Sequence, residues 1–121
     1  MGLLWTRVAS LVEIEPAVGV RATVDGEPVV VFRIGNAVLA LGARCPHQGN
    51  LLGTDLVEGT TAVCPSHGWS FDARTGEHVL FRGVRVPVYP TRVRGGEVFV
   101  LRRLLPVLRE ALRGRRLEGE G

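Results

Sequence analysis

Short apolar runs rich in β-branched residues, cut by pairs of turn-forming residues, set the rhythm of the first hundred positions. Val20 to Val24 alternates loosely, Asp25-Gly26 turns the chain, and Val29-Val30-Val31-Phe32-Arg33-Ile34 follows. Gly35-Asn36 then leads into Ala37-Val38-Leu39-Ala40-Leu41. Two residues that tolerate positive φ between two apolar runs predict a tight hairpin. Asp55 to Val63 reads as another short hairpin turning at Glu58-Gly59. Beyond it lie Trp69-Ser70-Phe71, a turn over Asp72 to Gly76, a strand around Val84 to Val88, and a last hairpin turning at Gly95-Gly96 into Val98-Phe99-Val100-Leu101. No helical period precedes residue 104, so the pattern predicts an all-β domain.

The end of the chain departs from that pattern. Pro106 suits a first helical turn, Leu105, Leu108 and Leu112 fall at i, i+3 and i+7, and Gly114 can close a short C-terminal helix. Its simplest role is to pack against the β domain or to fray; docking to an acidic partner or an anionic membrane surface is the sharper alternative.

Charge separates the same two regions. Residues 1 to 101 hold 9 Arg and 9 acidic residues, whereas residues 102 to 121 hold 6 Arg against Glu110, Glu118 and Glu120. The body is neutral and only the tail is basic, which argues against a nucleic-acid-binding face. The chain contains no Lys, a coding bias that gives no thermophile signal. At 121 residues it suits one small domain, too small for an added catalytic module. The N-terminal run has no charged n-region and Arg7 interrupts it, so a signal peptide is not expected, and no segment has transmembrane length. The expected compartment is the cytoplasm, where two cysteines more often bind metal or catalyse than form a disulfide.

Those two cysteines are the only ones in the chain, and they sit beside two of its three histidines. The segments are Cys45-Pro46-His47 and Cys64-Pro65-Ser66-His67: Cys-x-His, sixteen intervening residues, then Cys-x2-His. Together they offer two sulfur and two nitrogen donors. A zinc site of that composition usually takes both cysteines from one knuckle and both histidines from a helix. One thiol and one imidazole per loop suits a binuclear centre better, with one iron taking both sulfurs and the other both nitrogens.

With these residues in view the chain resembles a Rieske 2Fe-2S protein over most of its length. Cys45-Pro46-His47-Gln48-Gly49-Asn50-Leu51-Leu52 is similar to the family's first loop, and Cys64-Pro65-Ser66-His67-Gly68-Trp69-Ser70-Phe71-Asp72 to its second. The resemblance implies a Rieske fold of stacked antiparallel sheets over residues 1–104, with a small cluster-binding subdomain at about 43–82 and a basic helix or tail at 105–121. It implies one 2Fe-2S cluster, with Cys45 and Cys64 on the inner iron and His47 and His67 on the outer one. Exchanging two thiolates for two imidazoles raises the potential. Gly49 and Gly68 are expected to let backbone amides approach the cluster, and Leu52 and Trp69 to cover it with apolar surface.

The departures narrow the resemblance. High-potential members carry an extra cysteine in each loop, joined as a disulfide, where this chain has Asn50 and Ser66; serine and tyrosine hydroxyls near the cluster sulfurs are here Trp69 and Phe71. These differences predict a disulfide-free, low-potential type. The proline-containing loop common after the second motif is replaced by His78-Val79-Leu80-Phe81-Arg82-Gly83, in which His78 reads as a surface residue rather than a ligand. The implied function is a soluble one-electron carrier, not itself an enzyme, taking electrons from a reductase and passing them to an oxygenase. Two alternatives stand beside it: the small subunit of an assimilatory nitrite reductase, partnered by the reductase large subunit and often short of a full ligand set, and a zinc-stabilised binding module.

Overall fold

The computed structural model describes residues 5–46, 49–66 and 68–101. Within them nine strands form three antiparallel sheets. The strands are β1 (Trp5–Ser10), β2 (Val20–Val24), β3 (Glu27–Ile34), β4 (Ala37–Gly42), β5 (Thr61–Val63), β6 (Ser70–Asp72), β7 (Val88–Tyr89), β8 (Thr91–Arg94) and β9 (Glu97–Leu101). Their orders are β1-β9-β8, β2-β3-β4-β7 and β5-β6.

The four-stranded sheet is the middle layer, because β3 is buried on both faces. Side chains alternate across a strand, so the unbroken run Val29-Val30-Val31-Phe32 sends Val29 and Val31 to one side and Val30 and Phe32 to the other. Val29 and Val31 join Val24, Ala40 and Tyr89 in packing with Ala9, Val98 and Val100 of the three-stranded sheet. Val30 and Phe32 join Leu41 and Ala43 in packing with Cys45, Leu52, Ala62, Cys64, Phe71 and Val86. One core therefore holds two sheets together, and the other seats the cysteine segments on the middle sheet.

Three predicted hairpins form as expected: those at Asp25-Gly26 and Gly35-Asn36 around β3, and the one at Gly95-Gly96 joining β8 to β9. The Asp72 to Gly76 turn also forms, closed by Gly76 N–H on the Asp72 carbonyl at 2.7 Å and by Arg74 N–H on Asp72 Oδ1 at 2.8 Å. Gly76 has φ +78, and a Cβ there would meet the Val86 carbonyl oxygen at 2.3 Å, so only glycine fits.

Elsewhere tertiary pairing overrides the local pattern. The chain turns at Glu58-Gly59, with Val57 and Thr61 exchanging backbone hydrogen bonds of 2.8 and 3.1 Å, yet only the second arm becomes a strand. The first arm is drawn to residues 17–19 instead, through Leu56 N–H on the Ala17 carbonyl and Gly19 N–H on that of Thr54. Strand β5 finds its ladder partner in β6, across the second cysteine segment. The strand expected over Val84 to Val88 shrinks to Val88–Tyr89 beside β4, since Pro87 has no N–H to extend it. The apolar N-terminal stretch supplies β1, which pairs with β9 through a bulge at Val8. A single 3₁₀ turn, Leu11–Glu13, is the only helix among the described residues. The C-terminal helix expected after residue 104 lies outside them.

Two carboxylates make the fold acid-sensitive. Glu97 lies below its ordinary pKa, first because Arg7 donates to it at 2.5 Å, then because Ser10 Oγ donates at 3.0 Å. At Asp72 burial pushes the pKa up, but the backbone and side chain of Arg74 and the backbone of Thr75 outweigh it, for a net lowering. A lowered carboxyl stabilises the fold fully above its unfolded pKa, and that contribution is lost as pH falls through the folded value. Chemical unfolding of wild type, Asp72→Asn and Glu97→Gln should therefore diverge near neutrality and converge below about pH 4. Curves that stay parallel into acid would refute this.

Candidate metal centre

The two cysteine segments fold as equivalent hairpins. In the first, Cys45 N–H donates to the Asn50 carbonyl at 2.7 Å and Gly49 N–H to the Cys45 carbonyl at 2.7 Å. In the second, Cys64 N–H donates to the Trp69 carbonyl and Gly68 N–H to the Cys64 carbonyl, both at 2.8 Å. Each cysteine thus opens a loop whose four tip residues end in glycine: Pro46 to Gly49, and Pro65 to Gly68. The unequal Cys-x-His and Cys-x2-His spacings fall within tips of equal length.

Gly49 and Gly68 close these tips at φ +76 and +72, and a Cβ on either would meet nothing within 4 Å. Backbone conformation, and not crowding by the protein, is what requires glycine at both. The hairpins are fastened to each other beside the thiols, where Gly53 N–H donates to the Val63 carbonyl at 2.8 Å. Arg21 on β2 adds a hydrogen bond to the Leu52 carbonyl, a support that sequence reading missed.

Cys45 and Cys64 are both buried in one core with Leu52, Ala62 and Phe71, while Pro46, Gly49, Pro65, Ser66 and Gly68 above them are exposed. No disulfide joins the two thiols. His47 and His67, the other two expected ligands, lie outside the described residues, as does Gln48. Among the described residues no group of three or more His, Cys, Asp or Glu side chains gathers elsewhere as a rival metal site. Two soft donors in a dry pocket beneath exposed, histidine-bearing tips fit an iron–sulfur cluster, whose potential depends on such burial.

His78 is not the surface residue its isolation in the sequence suggests. It is 8% exposed, and its ring packs against Trp69, Phe71 and Phe81 at centroid distances of 5.0, 5.3 and 4.7 Å. Its Nδ1 accepts from Leu80 N–H at 3.0 Å and Phe81 N–H at 3.3 Å, which places its proton on Nε2; that atom is buried with no partner among the described residues. The aromatic residues on either side were the available signal. Leu52 is fully buried and Trp69 partly so, both packed in the core that holds the two thiols.

Paired hairpins that present one thiol each from a β core define a metal-cluster domain. The family description "Rieske-like [2Fe-2S] domain" matches residues 4–101, and the chain belongs to that family. The ferredoxin of carbazole 1,9a-dioxygenase from Nocardioides aromaticivorans IC177 superimposes with a TM-score of 0.74 at 32% identity, over 82% of this chain and 98% of that one. The 3-phenylpropionate/cinnamic acid dioxygenase ferredoxin subunit of Escherichia coli K12 is 31% identical over 64% of this chain and 76% of its own length. A structure from Mycobacterium tuberculosis, bearing the name of an NADH-dependent nitrite reductase small subunit, superimposes with a TM-score of 0.68 at 28% identity, over 84% of this chain and 96% of that one. The cofactor is thus one [2Fe-2S] cluster, which sets the zinc alternative aside.

Proposed function

We propose that this chain is the ferredoxin component of an oxygenase system, a non-catalytic carrier that takes single electrons from a reductase and delivers them to an oxygenase. The observation that carries this reading is the pair of equivalent hairpins with buried Cys45 and Cys64 at matched positions. The likeness to two dioxygenase ferredoxins over most of their length supports it. The proposed ligands are Cys45 and Cys64 for one iron and His47 and His67 for the other, within a cluster-binding part of about residues 43–82 in a domain of residues 1–104; residues 105–121 would form an appended tail. When bound, the cluster supplies a one-electron couple. The protein's part is to keep the thiols dry, to hold the tips at the surface, and to set the hydrogen bonding around them.

The nitrite reductase reading draws on the Mycobacterium tuberculosis likeness. The complete set of two cysteines and two histidines in the matched loops favours the carrier. No helix among the described residues is long and apolar enough to cross a membrane. A reducing, cytoplasmic setting is part of the proposal, since both thiols would serve as ligands.

The test is spectroscopic. Purified protein should be red-brown, contain equimolar iron and acid-labile sulfide, and give a Rieske-type EPR signal on reduction; colourless protein would refute the reading. Trp69 and Phe71 offer no hydroxyl to the cluster, so redox titration is expected to give a midpoint toward the low end of the range of about −150 to +300 mV. A strongly positive midpoint would remove the low-potential assignment.

A further inference from the structure

We propose that the segment from Val79 to Arg82 is a docking epitope for a redox partner whose contact face is an apolar patch edged by carboxylates. The proposal rests on the electron-carrier reading above. Three consecutive apolar side chains, Val79, Leu80 and Phe81, are 51%, 77% and 53% exposed. Water disfavours such a run unless something covers it for part of the time.

The segment is held in that state. Val79 N–H donates to the Ser70 carbonyl at 2.9 Å, and the next two amides are capped by His78 Nδ1. The imidazole is buried among Trp69, Phe71 and Phe81, so it works as an internal strut that fixes the backbone while leaving the apolar side chains outside. The strut stands on the second cysteine hairpin, because Trp69 is the residue whose carbonyl accepts Cys64 N–H. Electron tunnelling falls steeply with distance, so a partner must approach this end of the molecule.

Charge selects the partner. Residues 43–54, 60–71 and 78–86 contain Arg44, Arg82 and Arg85 and not one Asp or Glu, in a body that holds 9 Arg and 9 acidic residues in all. Arg44 is paired with Glu27 at 3.6 Å, and Arg85 donates to the Thr75 carbonyl at 3.2 Å. Arg82 has no carboxylate partner among the described residues. Glu77 lines a shallow concavity with His78, Arg82 and Gly83. A cationic partner face would meet Arg82 uncompensated, whereas a carboxylate would pair with it.

The test uses cluster-loaded full-length protein and two redox proteins of opposite surface charge: an acidic flavodoxin and cytochrome c, whose haem edge is ringed by lysines. Isothermal titration should show binding to flavodoxin that weakens as salt rises, and electron exchange that slows with it; exchange with cytochrome c should quicken as salt screens repulsion. Arg82→Glu should weaken flavodoxin binding about fivefold or more at low salt. Leu80→Ser should weaken it about tenfold at any salt. Arg94→Glu, the same charge change on the β8–β9 hairpin, should leave it within about twofold. His78→Ala should weaken binding and His78→Asn, whose carbonyl replaces Nδ1 as acceptor, should restore it. Equal affinity of wild type, Arg82→Glu and Leu80→Ser for flavodoxin, or a wild-type preference for cytochrome c, overturns the epitope. Loss of the Rieske EPR signal in wild type would instead sink the carrier reading.

Discussion

Cys64→Ser is expected to give a colourless protein that does not bind a cluster and is largely unfolded at room temperature. Cys64 is fully buried in the core that joins the cysteine hairpins to the middle sheet, among Cys45, Leu52, Ala62 and Phe71. Serine there would lose the proposed thiolate ligand and leave a hydroxyl in an apolar pocket, at a cost of about 1–3 kcal/mol if it finds no partner. The larger loss is linkage. A cofactor that binds only the folded chain adds its binding free energy to stability, and removing a ligand removes that contribution. Absorbance, iron content and circular dichroism check the expectation together. Retained colour would refute Cys64 as a ligand, and a colourless but fully folded protein would show that the two cores suffice without the cluster.

Phe71→Ala is expected to destabilise the domain by about 3–5 kcal/mol, a large share of the roughly 5–15 kcal/mol that holds such a domain folded. Phe71 is fully buried at the centre of β6 and paired with Ala62 on β5, and its ring packs against His78. Alanine would leave a cavity bounded by both cysteine hairpins, which the fixed backbone pairing of β5 and β6 cannot close. The thermal midpoint should drop by on the order of 10–20 °C. Leu80→Ala is the matched control: Leu80 is apolar but 77% exposed, so its removal should change stability by less than about 0.5 kcal/mol. Similar losses for the two variants would mean that Leu80 is covered in solution.

A candidate donor set could be proposed from the chain alone because ligand chemistry is written in residue type and spacing. Two thiols and two imidazoles, each pair split across similar loops, left few centres to consider. The hairpins at Asp25-Gly26, Gly35-Asn36 and Gly95-Gly96 were readable for a related reason, since a two-residue turn depends on its own backbone preferences. The partner of β5 was not readable. Thr61 to Val63 is compatible with either neighbour, and the choice of β6 depends on residues 17–19 drawing away the arm that local pattern assigned to it.

His78 shows the same limit for a functional residue. Next to it in sequence are Glu77 and Val79, both exposed, and only the aromatic residues further off on either side, Trp69, Phe71 and Phe81, hint at a buried imidazole. Its burial comes from Trp69 and Phe71, which reach it only because Val79 N–H bonds to Ser70 and lays the segment along β6.

By itself, then, the sequence determined the all-β class, the neutral body and the candidate donors proposed for the cluster, since these depend on composition, turn chemistry and ligand type within a few residues. Only the tertiary structure decided that β3 is buried on both faces, that the two cysteine hairpins are equivalent and tied through Gly53 and Val63, and that an exposed apolar segment stands on His78 beside them. The reason is that a single run of apolar residues specifies a wish to be buried but not the surfaces that will cover it, and those surfaces come from parts of the chain that only folding brings near.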